Sequence, residues 1–142
     1  MILGNILREK GGGVISVAET APLAEAAKKL DEHRVGAMVI LGEAGSVIGV
    51  FSERDLVRAL AKHGAAALDI PVADCMTRKV VTARRDDTVD QAMNAMTDRR
   101  IRHLPVVEGG KLLGIVSIGD LVKCRIAEAD AEVDAIRSYI QP

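Results

Sequence analysis

Ser52 and Asp55 stand three residues apart in IGVFSERDLV, from Ile48 to Val57, and Ser117 and Asp120 repeat the spacing in LGIVSIGDLV, from Leu113 to Val122. A serine at a helix start accepts a hydrogen bond from an otherwise orphan backbone N–H. An acidic residue in the first turn opposes the positive end of the helix dipole, each effect worth about 0.5–1 kcal/mol. Capping therefore accounts for both pairs, and a duplicated helix would carry its cap along. No catalytic chemistry is written nearby. There is no P-loop and no G-x-S-x-G, and His33, His63 and His103 form no histidine–carboxylate cluster at metal-ligand spacing. Cys75 and Cys124 lie far apart with no C-x-x-C pair, which favours buried, reduced thiols over a metal site. We expect no catalytic residues, no metal and no required cofactor.

The elements that position these pairs come from an internal repeat. VISVAETAPLAEAAKKLDEHRVGAMVIL, from Val14, matches VVTARRDDTVDQAMNAMTDRRIRHLPVV, from Val80, at an offset of 66 residues. The offset becomes 65 beyond the glycine-bearing turns LGEAGSV and VEGGKL, where a residue is easily lost. Each half reads as a short strand, VISV or VVTA, then a helix, then a hairpin, then a second helix from Ser52 or Ser117. Leu23, Ala26, Ala27 and Leu30, and Val89, Ala92, Met93 and Met96, take the i, i+3, i+4, i+7 positions of a buried helix face. Thr88 and Gln91 have the spacing of a capping box. A β-α-β-β-α unit of this size buries too little alone and depends on its twin.

At 142 residues, with 19 basic and 20 acidic side chains, the chain is a near-neutral globular protein of one compact domain or two small ones. Phe51 and Tyr139 are its only aromatic residues besides histidine, so no stacking platform for single-stranded nucleic acid can be built. No apolar run has the length of a membrane span, and MILGNILREKGGG is too short in apolar residues for a signal peptide. We therefore expect no nucleic-acid partner, no membrane and a cytoplasmic location.

IGVFSERDLVRAL, LGIVSIGDLV, CMTRKVVTA and IRHLPVV, with the repeat that carries them, strongly resemble the cystathionine-β-synthase-type (CBS) domain, and two in tandem resemble a Bateman module. The resemblance covers Met1 to about Ala127. It implies a mixed α/β (α+β) fold of two pseudo-symmetric repeats packed sheet to sheet, with two equivalent clefts. Such clefts commonly hold adenosine-containing ligands: AMP, ADP, ATP, NAD(H) or S-adenosylmethionine. On that footing the helix starts at Ser52 and Ser117 offer N–H groups to phosphate, and Asp55 and Asp120 offer acceptor-only carboxylates to ribose hydroxyls. With no stacking ring present, aliphatic side chains and backbone would hold adenine, from Val35, Ile101 and the strand edges around Ala37 and Pro105. Pro105, lacking an N–H, belongs at a strand start or edge. Ser16 and Thr82, equivalent in the first strands, complete the set.

The clefts implied are unequal in charge. Gly36 and Ala37 align with Arg102 and His103, so the second repeat brings more anion-binding capacity, and Arg54 compensates where its counterpart is Gly119. Arg99 and Arg100 read as a solvated helix end. LGNIL and VADCM align at an offset of 69 as lead-in helices. We divide the chain into a first repeat with lead-in and linker (1–70), a second repeat (71–127) and a helical extension (128–142). From the end of the second repeat through the extension, Ile126, Ala129, Val133, Ile136 and Ile140 form an a/d seam. Together with the resemblance, the seam points to a homodimer. The expected function is a ligand-sensing regulatory module acting on an effector protein that the sequence does not name. The alternatives are an interaction subunit with vestigial clefts and, further off, a nucleotide-processing enzyme.

Overall fold

The structure, a computed structural model, describes residues 1–11 and 13–140. The elements run α1 (Leu3–Lys10), β1 (Ser16–Ala18), α2 (Leu23–His33), β2 (Ala37–Leu41), β3 (Val47–Ser52), α3 (Glu53–His63), α4 (Val89–Arg99), β4 (His103–Glu108), β5 (Lys111–Ser117) and α5 (Ile118–Ile140). The linker between the repeats is a 3-10 turn, Gly64–Asp69. Leu23, Ala26 and Leu30 of α2, and Val89, Ala92 and Met96 of α4, are buried, as the helical spacing requires. Thr88 Oγ1 accepts from the Gln91 N–H at 3.1 Å and Gln91 Oε1 from the Thr88 N–H at 2.8 Å, which completes the capping box of α4.

In the first sheet β1 lies parallel to β2, and β2 pairs antiparallel with β3, placing Ala37 opposite Ser52. In the second, β4 pairs antiparallel with β5, placing His103 opposite Ser117. Both hairpins break register at equivalent points, Ile40/Leu41 and Val106/Val107. The mixed α/β repeat pair is therefore present, with one correction: VVTA is not a strand and keeps only the bridge between Ala83 and Val106. Proline chemistry explains this. In the first repeat the Val39 N–H donates to the Ile15 carbonyl at 3.3 Å, and the residue equivalent to Val39 is Pro105, which has no N–H. Ala83 alone holds on, donating to the Pro105 carbonyl and accepting from the Val107 N–H, each at 2.9 Å.

The core is two clusters, and the lead-ins are exchanged between them. Leu3 and Ile6 of α1 pack with Val89, Met96, Leu104 and Leu121 of the second repeat. Val72 and Met76 pack with Leu23, Met38, Ile40 and Phe51 of the first. Backbone bonds repeat the exchange: the Leu3 N–H donates to the Asp87 carbonyl at 2.9 Å and the Val72 N–H to the Ala21 carbonyl at 2.7 Å. A glycine in each hairpin makes room for the incoming side chain. A Cβ on Gly114 would stand 2.7 Å from Leu7 Cδ2, and one on Gly49 would run into the thioether of Met76.

Helix α5 is continuous for 23 residues, about 35 Å at 1.5 Å per residue. Only Leu121 and Cys124 on it are buried, and Ile126, Val133, Ile136 and Ile140 of the seam are exposed. Among the described residues no helix is long and apolar enough to cross a membrane.

Candidate functional site

Each Ser-x-x-Asp stretch is a realised cap. Ser52 ends β3 and caps α3: its Oγ accepts from the Asp55 N–H at 3.3 Å while Asp55 Oδ2 accepts from the Ser52 N–H at 2.9 Å. At the head of α5, Ser117 Oγ accepts from the Asp120 N–H at 3.1 Å and Asp120 Oδ2 from the Ser117 N–H at 2.9 Å. The next N–H of each helix is tied to its own repeat's α–β turn, Glu53 to the Gly36 carbonyl at 3.0 Å and Ile118 to that of Arg102 at 2.8 Å. Helix start and turn are thereby locked together in each repeat.

Two clefts open where the repeats meet, and each joins the helix start of one repeat to the turn and strand of the other. The first, about 370 Å³, sets Ser52, Arg54 and Asp55 against Ile101, Arg102, His103 and Pro105. Val80 and Val81, released from a strand ladder by Pro105, form part of its wall. The second, about 410 Å³, sets Ser117 and Asp120 against Val35, Gly36 and Ala37, with Val14 and Ile15 as the wall. Gly36 and His103 border both clefts. The His103 ring lies against the glycine: a Cβ built on Gly36 would be 3.4 Å from Cε1 and Nε2. Burial first, then the charge of Lys10, holds that imidazole below its ordinary range.

The two aspartates differ in their surroundings. Asp55 is 7% exposed, accepts also from Ser52 Oγ at 3.1 Å and Thr77 Oγ1 at 3.4 Å, and has Arg58 at 3.9 Å. Asp120 Oδ2 takes the ammonium of Lys10 at 2.8 Å, and the same ammonium donates to the Ile115 carbonyl at 2.9 Å. Burial alone would raise the Asp120 carboxyl. The Lys10 hydrogen bond, the Ser117 N–H and the Lys10 charge outweigh it and hold the group below the usual carboxylate range. Among the described residues Asp120 Oδ1 takes no hydrogen bond, leaving acceptor capacity toward the cleft.

Of the residues singled out from sequence, the structure brings Ser52, Arg54, Asp55, Ile101, Arg102, His103 and Pro105 into the first cleft and Val35, Gly36, Ala37, Ser117 and Asp120 into the second. It leaves Ser16 and Thr82 out of both. Side chains alternate along an extended segment, so Ser16 faces away from the surface that Ile15 presents and borders a shallow depression with Lys29. Five basic cleft residues went unassigned: Arg58, Lys79 and Arg100 in the first, Lys10 and Arg34 in the second. Repeat arithmetic held the signal for four of them, since Arg34 and Arg100 are 66 apart and Lys10 and Lys79 are 69 apart, the lead-in offset. Arg34 and Arg100 both cap their helices in the left-handed conformation, φ 52° and 54°, which turns the chain into the cleft wall. Among the described residues no group of three or more His, Cys, Asp or Glu is placed to hold a metal ion.

The family model described as "CBS domain" matches residues 11–62 and 72–126. A CBS-domain containing protein of Agrobacterium tumefaciens is 45% identical, with a TM-score of 0.84 over 87% of this chain and 92% of that one. A CBS domain protein of Pyrobaculum aerophilum complexed with AMP is 32% identical, with a TM-score of 0.76 over 84% and 89%. A CBS domain pair in complex with 5′-methylthioadenosine and S-adenosyl-L-methionine is 27% identical, with a TM-score of 0.81 over 90% and 98%. The chain spans 57–66% of the length of curated relatives that are 37–38% identical to it.

Proposed function

The chain belongs to the CBS domain family as a tandem pair, and from that premise we propose that it is a regulatory module without catalytic activity that binds an adenosine-containing ligand in its clefts. AMP, ADP, ATP, NAD(H) and S-adenosylmethionine are the class. The observation that carries the reading is the composition of each cleft. A capped helix start with a carboxylate faces an aliphatic wall from the other repeat, Val81, Ile101 and Pro105 in one cleft and Ile15, Val35 and Ala37 in the other. The carboxylate suits ribose hydroxyls, the first-turn N–H that the cap and the turn leave open, that of Arg54 or Gly119, suits phosphate, and the wall suits an adenine face. Occupancy would tie the two repeats together and so report ligand level to an effector protein. A cytoplasmic setting belongs to the same proposal, in keeping with the two free cysteines.

Thermal melts in the presence of adenine nucleotides, NAD(H) and S-adenosylmethionine test it. Binding to the folded state at 100-fold over Kd adds about 2.7 kcal/mol. No stabilisation by any of them at millimolar concentration overturns the reading and favours vestigial clefts in an interaction subunit.

The exposed seam of α5, Ile126, Val133, Ile136 and Ile140, supports a homodimer. Light scattering on a chain truncated after Arg125 should show the dimer weakened or lost, and an unchanged dimer removes the helix from the interface.

A further inference from the structure

The first cleft carries far more uncommitted positive charge than a nucleoside needs. Five basic side chains border it against two acidic ones, whereas the second cleft has two against one. Pairing widens the gap. Among the described residues Arg54, Lys79, Arg100 and Arg102 enter no ion pair and no side-chain hydrogen bond, while Lys10 of the second cleft is spent on Asp120 and the Ile115 carbonyl. The aligned positions explain how the difference arose: Gly119 stands where Arg54 stands, and Gly36 where Arg102 stands. Neither glycine is forced by crowding, since a Cβ at Gly119 would meet only Ser117 Oγ at 3.6 Å and one at Gly36 would touch His103 and Glu53 at 3.4 Å or more.

Resting on the adenosine-binding reading, we propose that the clefts sort ligands by phosphate charge: the Ser52/Asp55 cleft takes a nucleoside di- or triphosphate, with Arg54, Lys79, Arg100 and Arg102 as its specificity-determining residues. The Ser117/Asp120 cleft takes adenosine ligands without a polyphosphate chain. The cations come from three places, the first turn of α3, the segment after the second lead-in, and the turn from α4 into β4, and they converge on one cavity. A guanidinium binds phosphate oxygens through a two-pronged fork, so successive phosphates find separate forks instead of competing for one. A polyphosphate in the second cleft would meet Arg34 and a lysine it must first detach from Asp120.

Calorimetry with ATP, AMP and 5′-methylthioadenosine, on the parent chain and on an Arg100→Asn/Arg102→Gln double variant, tests this. Both arginines are exposed, and asparagine tolerates the left-handed backbone of Arg100, so the fold is retained. The parent should bind ATP about tenfold or more tighter than AMP at one site. The double variant should lose that preference while 5′-methylthioadenosine, which has no phosphate, binds as before. Lys79→Gln, a change at another exposed position, repeats the test should the double variant melt lower. ATP binding no tighter than AMP in the parent, or a preference that survives in both variants, overturns the proposal while leaving adenosine binding intact. No binding of any of the three ligands fails the underlying reading as well.

Discussion

At one end of the repeat interface Asp55 is 7% exposed and is held by its own helix start and by Thr77. At the other, Asp120 sits half-buried under an ammonium that α1 has carried across from the chain terminus. The caps are the same, because a Ser-x-x-Asp cap is made from backbone and side chains within four residues and is inherited whole with the helix. The partners are not the same, because they come from the exchanged lead-ins, which hold place by packing and are free to change their polar residues. Among the described residues Lys79, the counterpart of Lys10, borders its cleft without an ion pair. Duplication thus preserved what is local and let the cross-repeat contacts diverge.

The exchange itself offers the largest break in the comparison. Leu3 is fully buried in the second repeat's cluster although it begins the lead-in to the first repeat. Leu3→Ala should cost about 2–5 kcal/mol, the range for a buried leucine that leaves a cavity. Hydrogen exchange should show the loss of protection concentrated in α4, β4 and β5. Protection lost first in β1 to β3 would mean that α1 supports the repeat it precedes.

Local features were legible in the sequence and cross-repeat ones were not, for a physical reason. The helix faces of α2 and α4, the Thr88–Gln91 box, the hairpins and the caps all follow from spacing within a few residues, and a period carries them. LGNIL, read as a lead-in helix, begins α1, whereas VADCM, read the same way, forms only the short 3-10 turn Val72–Asp74; the apolar pattern of both says only that a face is buried, not against which repeat. The strand expected at VVTA failed because its ladder depends on an N–H at residue 105, 24 positions after Val81, where proline stands. The cleft cations show the same limit. Arg100 reads as a solvated helix end until its left-handed cap brings it to the border of the cleft that Asp55 of the other repeat also lines.

The next test separates capping from ligand binding at the two acids. Asn replaces one carboxylate oxygen by a donor, so a ribose held by both hydroxyls should lose about 1–3 kcal/mol, or about five- to 150-fold in affinity, at the cleft altered. Asp120→Asn should lower the melting temperature of the free protein only slightly, by the loss of the Lys10 pair, about 0.5–1 kcal/mol, since the amide oxygen can still accept from the Ser117 N–H. Asp55→Asn should lower it further, because Asp55 is buried among three donors and an amide presents one of its own to them. Calorimetry and melts on the two single variants and the double decide it. Unchanged affinity for every adenine nucleotide in both makes these residues caps alone.

The smallest effect is the most specific to the difference between the clefts. The Asp120 carboxyl is held below its ordinary range in the folded protein, against the pull of burial, by Lys10 and the Ser117 N–H. The folded state therefore keeps the anion at a pH where the unfolded chain, with a carboxyl pKa of about 3.9, has begun to protonate. The contribution is fully present above that value and is lost as pH falls through the lower folded value. Lys10 is 42% exposed, so water screens the pair and its worth is about 0.5–1 kcal/mol. Lys10→Met should accordingly flatten the acid limb of stability by that amount, read as the urea midpoint between pH 5 and about pH 2. Arg58→Met, at the looser 3.9 Å contact to Asp55, should move it less. An equal change in both variants would show that the acids share one environment, and the lysine would then have no claim to set the second cleft apart. If only Lys10→Met acts, the same variant should tighten 5′-methylthioadenosine at the second cleft, because Oδ2, which Lys10 occupies in the parent, can then join Oδ1 in accepting from the ribose hydroxyls.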